Sequence, residues 1–266
     1  MHAEQPATPV RQQPRFEIKA ATTADIHAAL RDGIRDVARR PALSLFFGLV
    51  FALFGAALLA GFLLVDQIWI VIAAGVGFPL VAPFLAAGLY EMSRRYARGE
   101  SFAARDIFLV MIGQQRREFG WMAFVVLFVF WIWAYQVRIL LAIFLLSKPI
   151  RSFDALVSLV FTTADGLTFL AVGTIVGAIL ATILFSITVI AMPLLMDKEI
   201  DFVTAMITSV QTVLKSPAVM LGWGALIGAL TFASLAPALI GVVVVVPVLG
   251  HASWRLYEKL VTDTQR

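Results

Sequence analysis

Apolar positions in this chain gather into long uncharged runs, separated by short segments where charge and helical periodicity return. The runs are Pro41–Val65, Gln67–Tyr90, Phe119–Val137, Gly166–Met196 and Ser216–Trp254. About 20 apolar residues in a helix cross the hydrocarbon core of a bilayer. The first four runs therefore predict one span each. The fifth is too long for one span, and Ser234–Pro237 marks the turn that divides it into a hairpin. The prediction is an all-α, polytopic membrane helix bundle of about six transmembrane helices, arranged as three hairpins.

The segments ahead of the hairpins have a different pattern. Ile26, Leu30, Ile34 and Val37 recur at helical spacing, while Arg31, Asp32, Arg35, Asp36, Arg39 and Arg40 fill the other faces. Asp25 is the expected N-cap, and Pro41 marks the junction with the first span. Residues 101–113 predict a second such helix with Ser101 as its cap. Asp197–Lys215 predicts a third, with Phe202, Met206, Val210 and Val213 on one face behind a capping Asp201. Amphipathic helices beside spans lie along the membrane interface. Within the spans, Ala52, Ala56 and Ala60, and again Gly173, Gly177 and Ala181, form small-residue stripes that suit close helix approach. Pro79 and Pro83 are expected to kink the second span. Glu91 and Arg95 sit one turn apart as it emerges.

The two ends of the chain repeat each other. Asp25, Ile26, Leu30, Ile34, Val37, Pro41 and Gly48 match Asp201, Phe202, Met206, Val210, Val213, Pro217 and Gly224, every pair at the same sequence offset. Gly77, Pro83 and Leu85 match Gly241, Pro247 and Leu249 at a second, slightly shorter offset. Residues 21–262 thus read as a single integral membrane domain of three repeat-like units, about 22–98, 101–197 and 200–261. Residues 1–20, with three prolines and no apolar period, read as a disordered cytoplasmic tail.

Composition agrees with a lipid solvent. Hydrophobic residues make up 61% and charged residues 14%, against about 25% charged in soluble proteins, and the mean hydropathy is +0.90. The net charge of +4 does not indicate a nucleic-acid partner, because the excess flanks apolar runs instead of forming a base-reading surface. Arg94, Arg95, Arg98, Arg105, Arg116 and Arg117 crowd one loop, while Asp66 and Gln67 make up the loop before it. That asymmetry predicts a cytoplasmic arginine-rich loop and both termini in the cytoplasm. No signal peptide is expected, since no apolar stretch precedes Pro41. There is no cysteine, which removes disulfides, thiolate metal sites and cysteine nucleophiles together.

Candidate chemistry is sparse. The histidines are His2, His27 and His251, and only His251 falls in a span, too few to converge on a metal or haem. HExxH, GxSxG, Walker A and GxGxxG patterns are all absent, so no enzyme is expected and no cofactor. Arg138 interrupts the third span about 31 Å along a helix from Arg117, near the outer interface. Asp66 and Asp165 fall on the same predicted side and are its candidate partners; His251 completes the set of polar candidates. Thr182, Ser186 and Thr188 either line a path or bond to their own helix.

GFPLVAPFLAAGLYEMSRR (77–95), MPLLMDKEIDFVTAMITSV (192–210), SPAVMLGWG (216–224) and GVVVVVPVLGHASWRLYEKLV (241–261) resemble the bacterial family of predicted integral membrane proteins called domain of unknown function 2189. The resemblance covers roughly residues 25–261. It implies a multi-pass protein of the bacterial inner membrane and implies no activity. The expected role is non-enzymatic, an interaction or accessory function, with the lipid bilayer and another inner-membrane protein or a second copy as partners. The alternative is a small-solute transporter or channel, with repeats, Pro-broken spans and Arg138 as its support.

Overall fold

In the computed structural model, residues 16–64, 68–113, 117–145, 153–236 and 239–263 are described. A short strand, β1 (Phe16–Ile18), precedes the helices α1 (Thr23–Arg39), α2 (Pro41–Leu64), α3 (Ile68–Ala97), α4 (Ala104–Gly113), α5 (Arg117–Leu145) and α6 (Phe153–Thr162). Then come α7 (Ala164–Thr188), α8 (Ala191–Asp197), α9 (Phe202–Lys215), α10 (Pro217–Leu235), α11 (Ile240–Leu260) and a last strand, β2 (Val261–Asp263). Among the described residues, five helical segments are long and apolar enough to cross a membrane: Pro41–Gly61, Glu118–Leu145, Ala164–Asp197, Pro217–Leu235 and Ile240–Leu260. The fifth uncharged run does divide into two helices, α10 and α11, at the predicted turn.

Capping chemistry sets the helix starts, and here several sequence expectations shift. Asp201 caps α9 as expected, accepting from the Thr204 N–H at 2.8 Å. Asp25 does not cap α1; Thr22 does. Its hydroxyl accepts from the Asp25 N–H, and the Asp25 carboxylate accepts from the Thr22 N–H at 2.9 Å, a reciprocal capping box. Nor does Ser101 cap α4, which starts at Ala104 with the Asp106 carboxylate accepting from the Ala103 N–H at 2.7 Å. The fourth uncharged run also breaks, between α7 and α8. Pro193 has no N–H to bond the carbonyl of Val189, and its ring crowds that carbonyl. The Ile190 N–H donates instead to the Ser209 hydroxyl on α9 at 3.1 Å.

The strand β1 falls in the stretch expected to be disordered. It pairs antiparallel with β2, Phe16 opposite Asp263 and Ile18 opposite Val261. Backbone hydrogen bonds and a partly buried Phe16 packed on the core give these residues partners that a solvated tail lacks. Residues 1–15 lie outside the described residues.

α11 is the central helix, packed by α1, α2, α3 and α10. Of its span 44% is buried, against 6% for α5. The buried core lies toward one end of the bundle: the C-terminal ends of α3 and α11, the N-terminal ends of α5 and α10, and all of α8. Elsewhere the pattern of a soluble protein is inverted, with Phe128, Ile143, Ile175, Phe232 and Ile240 exposed, as a lipid solvent requires.

The amphipathic helices are rotated from their expected faces only in part: Ile26, Leu30, Phe202 and Met206 pack half-buried on the core and Val213 is buried, but Ile34 is exposed. The most deeply buried line runs through Ala29, Gly33 and Asp36 on α1 and through Ala205, Ser209 and Thr212 on α9. These positions match pairwise at the same offset that relates the two ends of the sequence. The junctions match too. Arg40 (φ −143°, ψ 72°) ends α1 and Ser216 (φ −145°, ψ 65°) ends α9, each followed at once by a proline that opens a span. Of the alanine stripe, Ala52 is buried but Ala56 is exposed. The closest approach of α2 to α11 falls at Gly48, where a Cβ would lie 2.1 Å from the Val243 carbonyl oxygen. Gly173 and Gly177 face Leu140 and Trp133 of α5 at ordinary contact distance.

Candidate functional site: a buried polar cluster at one end of the bundle

Four helices bring polar side chains together where α11 meets α1, α2 and α3. His251 and Arg255 stand one turn apart on α11, so both point the same way. Asp36 comes from α1, Ser44 from the first turn of α2 and Ser93 from α3. Exposure is 1% for Asp36 and 0% for Ser44, Ser93 and His251. Gly33 makes this meeting possible. A Cβ there would sit 2.8 Å from the Ala252 backbone nitrogen, so α1 lies against α11 one turn from Asp36.

The direction of every hydrogen bond follows from proton inventory. The Asp36 carboxylate accepts from Arg255 Nε at 2.7 Å and Nη2 at 2.9 Å, a bidentate pair. It also accepts from the Ser93 hydroxyl at 2.8 Å and from Arg39 at 3.3 Å. Ser93 has one proton, and Asp36 holds it. The 2.7 Å contact between Ser93 Oγ and His251 Nδ1 therefore has His251 as donor. Nε2 is left as the acceptor, and the Ser44 hydroxyl donates to it at 3.1 Å. The result is one ordered chain, Ser44 to His251 to Ser93 to Asp36, closed by Arg255. Arg255 also donates to Glu258 at 3.1 Å.

A second charged group lies beside it on α3. Glu91, fully buried, accepts from Arg94 at 2.7 and 2.9 Å and from Arg95 at 2.6 Å, so the expected Glu91–Arg95 pair is present and shared. Asp197 accepts from Arg98 and from the Tyr257 hydroxyl, both at 3.0 Å, and Lys198 bonds Asp263. The acidic stretch 197–201 thus ties α3, α9 and α11 together. Both capping carboxylates outside the spans hold their protons weakly. The Thr22 hydroxyl lowers the pKa of Asp25, and the Thr204 hydroxyl lowers that of Asp201.

Of the sequence candidates, only His251 belongs to the cluster. Arg138 is exposed on α5, and Asp165 is exposed in the first turn of α7, where the helix dipole favours a carboxylate. Asp66 lies outside the described residues. In the fourth uncharged run, Ser186 and Thr188 donate to the carbonyls of Thr182 and Leu184, the self-satisfying arrangement. The sequence reading missed Asp36, Ser44, Ser93 and Arg255. The available signal was Gly33 one turn before Asp36, a glycine that permits close approach beside a carboxylate among arginines.

A serine hydroxyl on a histidine nitrogen is the start of a nucleophile–base pair. Here neither group reaches a surface, so the arrangement holds four helices in register. Comparison with protein families matches residues 70–197 to the family described as predicted integral membrane protein (DUF2189). Over that stretch the chain is similar to this family, and its segments 77–95 and 192–197 carry the resemblance noted above. No curated protein and no solved structure matches the chain.

Proposed function

We infer, for a chain that carries this family's domain, a non-enzymatic role within the membrane, in which the bundle serves as an interaction or accessory protein for another membrane component. The observation that carries this reading is the sealing of the reactive groups. Ser44, Ser93, His251 and Asp36 are at most 1% exposed and satisfy one another, so the cluster is a latch. The hydroxyls of Ser186 and Thr188 turn to their own helix, which leaves the transport alternative without that support. The spare surface is on α5, where Trp131, Tyr135 and Ile139 face outward.

The topology we propose has six spans and both termini in the cytoplasm. Paired strands lie on one side of a membrane, so the β1–β2 ladder requires an even number of crossings. The five apolar segments are joined by α3, whose 30 residues reach about 45 Å. Arg94, Arg95 and Arg98 at its end support a cytoplasmic position for that side, in a bacterial inner membrane. Native mass spectrometry of the full chain, extracted with its surrounding lipid, tests the role. A stoichiometric second protein supports it. A lone chain whose turnover of any substrate is abolished by Ser44→Ala would overturn it.

A further inference from the structure

Beside the latch and running toward mid-span, a crevice of about 200 Å³ opens between α2, α3, α10 and α11. Its walls include the rings of Phe51 and Tyr90, and three hydroxyl side chains line it: Tyr90, Thr231 and Ser253. No hydrogen bond joins any of these three hydroxyls to another group among the described residues, although Tyr90 is only 9% exposed. Ser186, Thr188 and Ser234 in the spans, by contrast, bond helix carbonyls. Tyr90 adjoins Glu91 and Ser253 lies two residues from both His251 and Arg255, while Phe51 is about three turns into α2 and Thr231 about four into α10, so the crevice runs from the level of the latch to about 15–21 Å from the starts of those two helices. Toward mid-span water is scarce, and an unpaired hydroxyl there costs free energy until a partner arrives.

We propose that this crevice binds an uncharged, flat carbonyl compound dissolved in the bilayer, of the quinone type. Three hydroxyl donors suit carbonyl oxygens, which accept without returning a proton. No charged side chain lines the walls, so an ionic head has no counter-charge. The aromatic residues Phe51 and Tyr90 in the lining suit a planar ring. The volume is below the roughly 300–1,000 Å³ that encloses a drug-sized ligand, so the ring enters and its tail stays in lipid. The site is separate from the latch, and its failure would leave the accessory reading untouched.

Native mass spectrometry of the full chain in detergent, with decylubiquinone as the probe and decylbenzene as its carbonyl-free control, tests this. The expected result is one decylubiquinone retained per chain and no retained decylbenzene. The variant Tyr90→Phe/Thr231→Val/Ser253→Ala should lose about a hundredfold in retention, the effect of removing three hydrogen bonds. Tyr90→Phe alone keeps the ring against Trp254, 6.2 Å away between centroids, and should also weaken retention. Because the hydroxyls hold no partner, neither variant should lower the melting temperature. Equal retention in wild type and variants would mean partitioning into the micelle and would overturn the proposal. So would no retention at all.

Discussion

Asp36 is a carboxylate at 1% exposure on a helix that otherwise shows its arginines to solvent. Its burial is tolerable because Arg255 meets both oxygens and Ser93 a third position. Removing one partner of such a pair leaves an uncompensated buried charge, worth about 3–5 kcal/mol. Asp36→Ala and Arg255→Ala should each lower thermal stability by that order, and the apolar pair Asp36→Leu/Arg255→Met should recover most of the loss. Thermal unfolding in detergent reads all three, and a double variant as unstable as the two single losses combined would exclude the pairing. Ser44→Ala should cost about 1–3 kcal/mol, since it strips the donor from a buried His251 Nε2. These partners were hard to read from sequence. Asp36 and Arg255 are 219 residues apart, and helical periodicity assigns Asp36 to a polar face. Only the tertiary contact of α1 with α11 converts that face into an interior one.

Helices were the most legible level, because span length and capping are local properties. The α10–α11 turn, the Asp201 cap and the Glu91–Arg95 pair all follow from a few neighbouring residues. What local pattern missed was rotation. α1 and α9 turn small and polar residues inward, since glycine, alanine and serine let helices close up where leucine would hold them apart. Gly48→Leu should therefore force α2 off α11, with a fall in melting temperature larger than at Gly222, where a Cβ meets open space. Asp201 gives a pH test. Its carboxyl titrates below the ordinary range because Thr204 bonds the ionised form, so the cap's contribution is complete above the ordinary carboxylate value. It is lost as the pH falls through the lowered one. The hydrogen-exchange protection factor of the Thr204 amide should fall with acid in the wild type and stay level in Asp201→Asn, which caps without a charge.

For the molecule as a whole, polar chemistry is gathered at one end. The latch, the Glu91 group, the Asp197 contacts and the strand pair all lie where the amphipathic helices join the spans. The spans themselves are loosely buried, most of all α5. That membrane character was plain from uncharged runs alone. The closure of the chain on itself was not, because such short strands carry no periodicity and their partners lie at opposite ends of the sequence. Yet this closure decides the parity of the crossings. The most direct test uses Glu17→Cys and Thr262→Cys, which face each other in register in a chain that has no cysteine of its own. Directly paired strand residues have Cα atoms about 4.5–5.5 Å apart, within disulfide reach. In sealed membrane vesicles, the double variant should form an intramolecular disulfide under mild oxidation, and each single variant should react with an impermeant thiol reagent from the same side. Labelling from opposite sides would contradict the account, as would two accessible cysteines that never join.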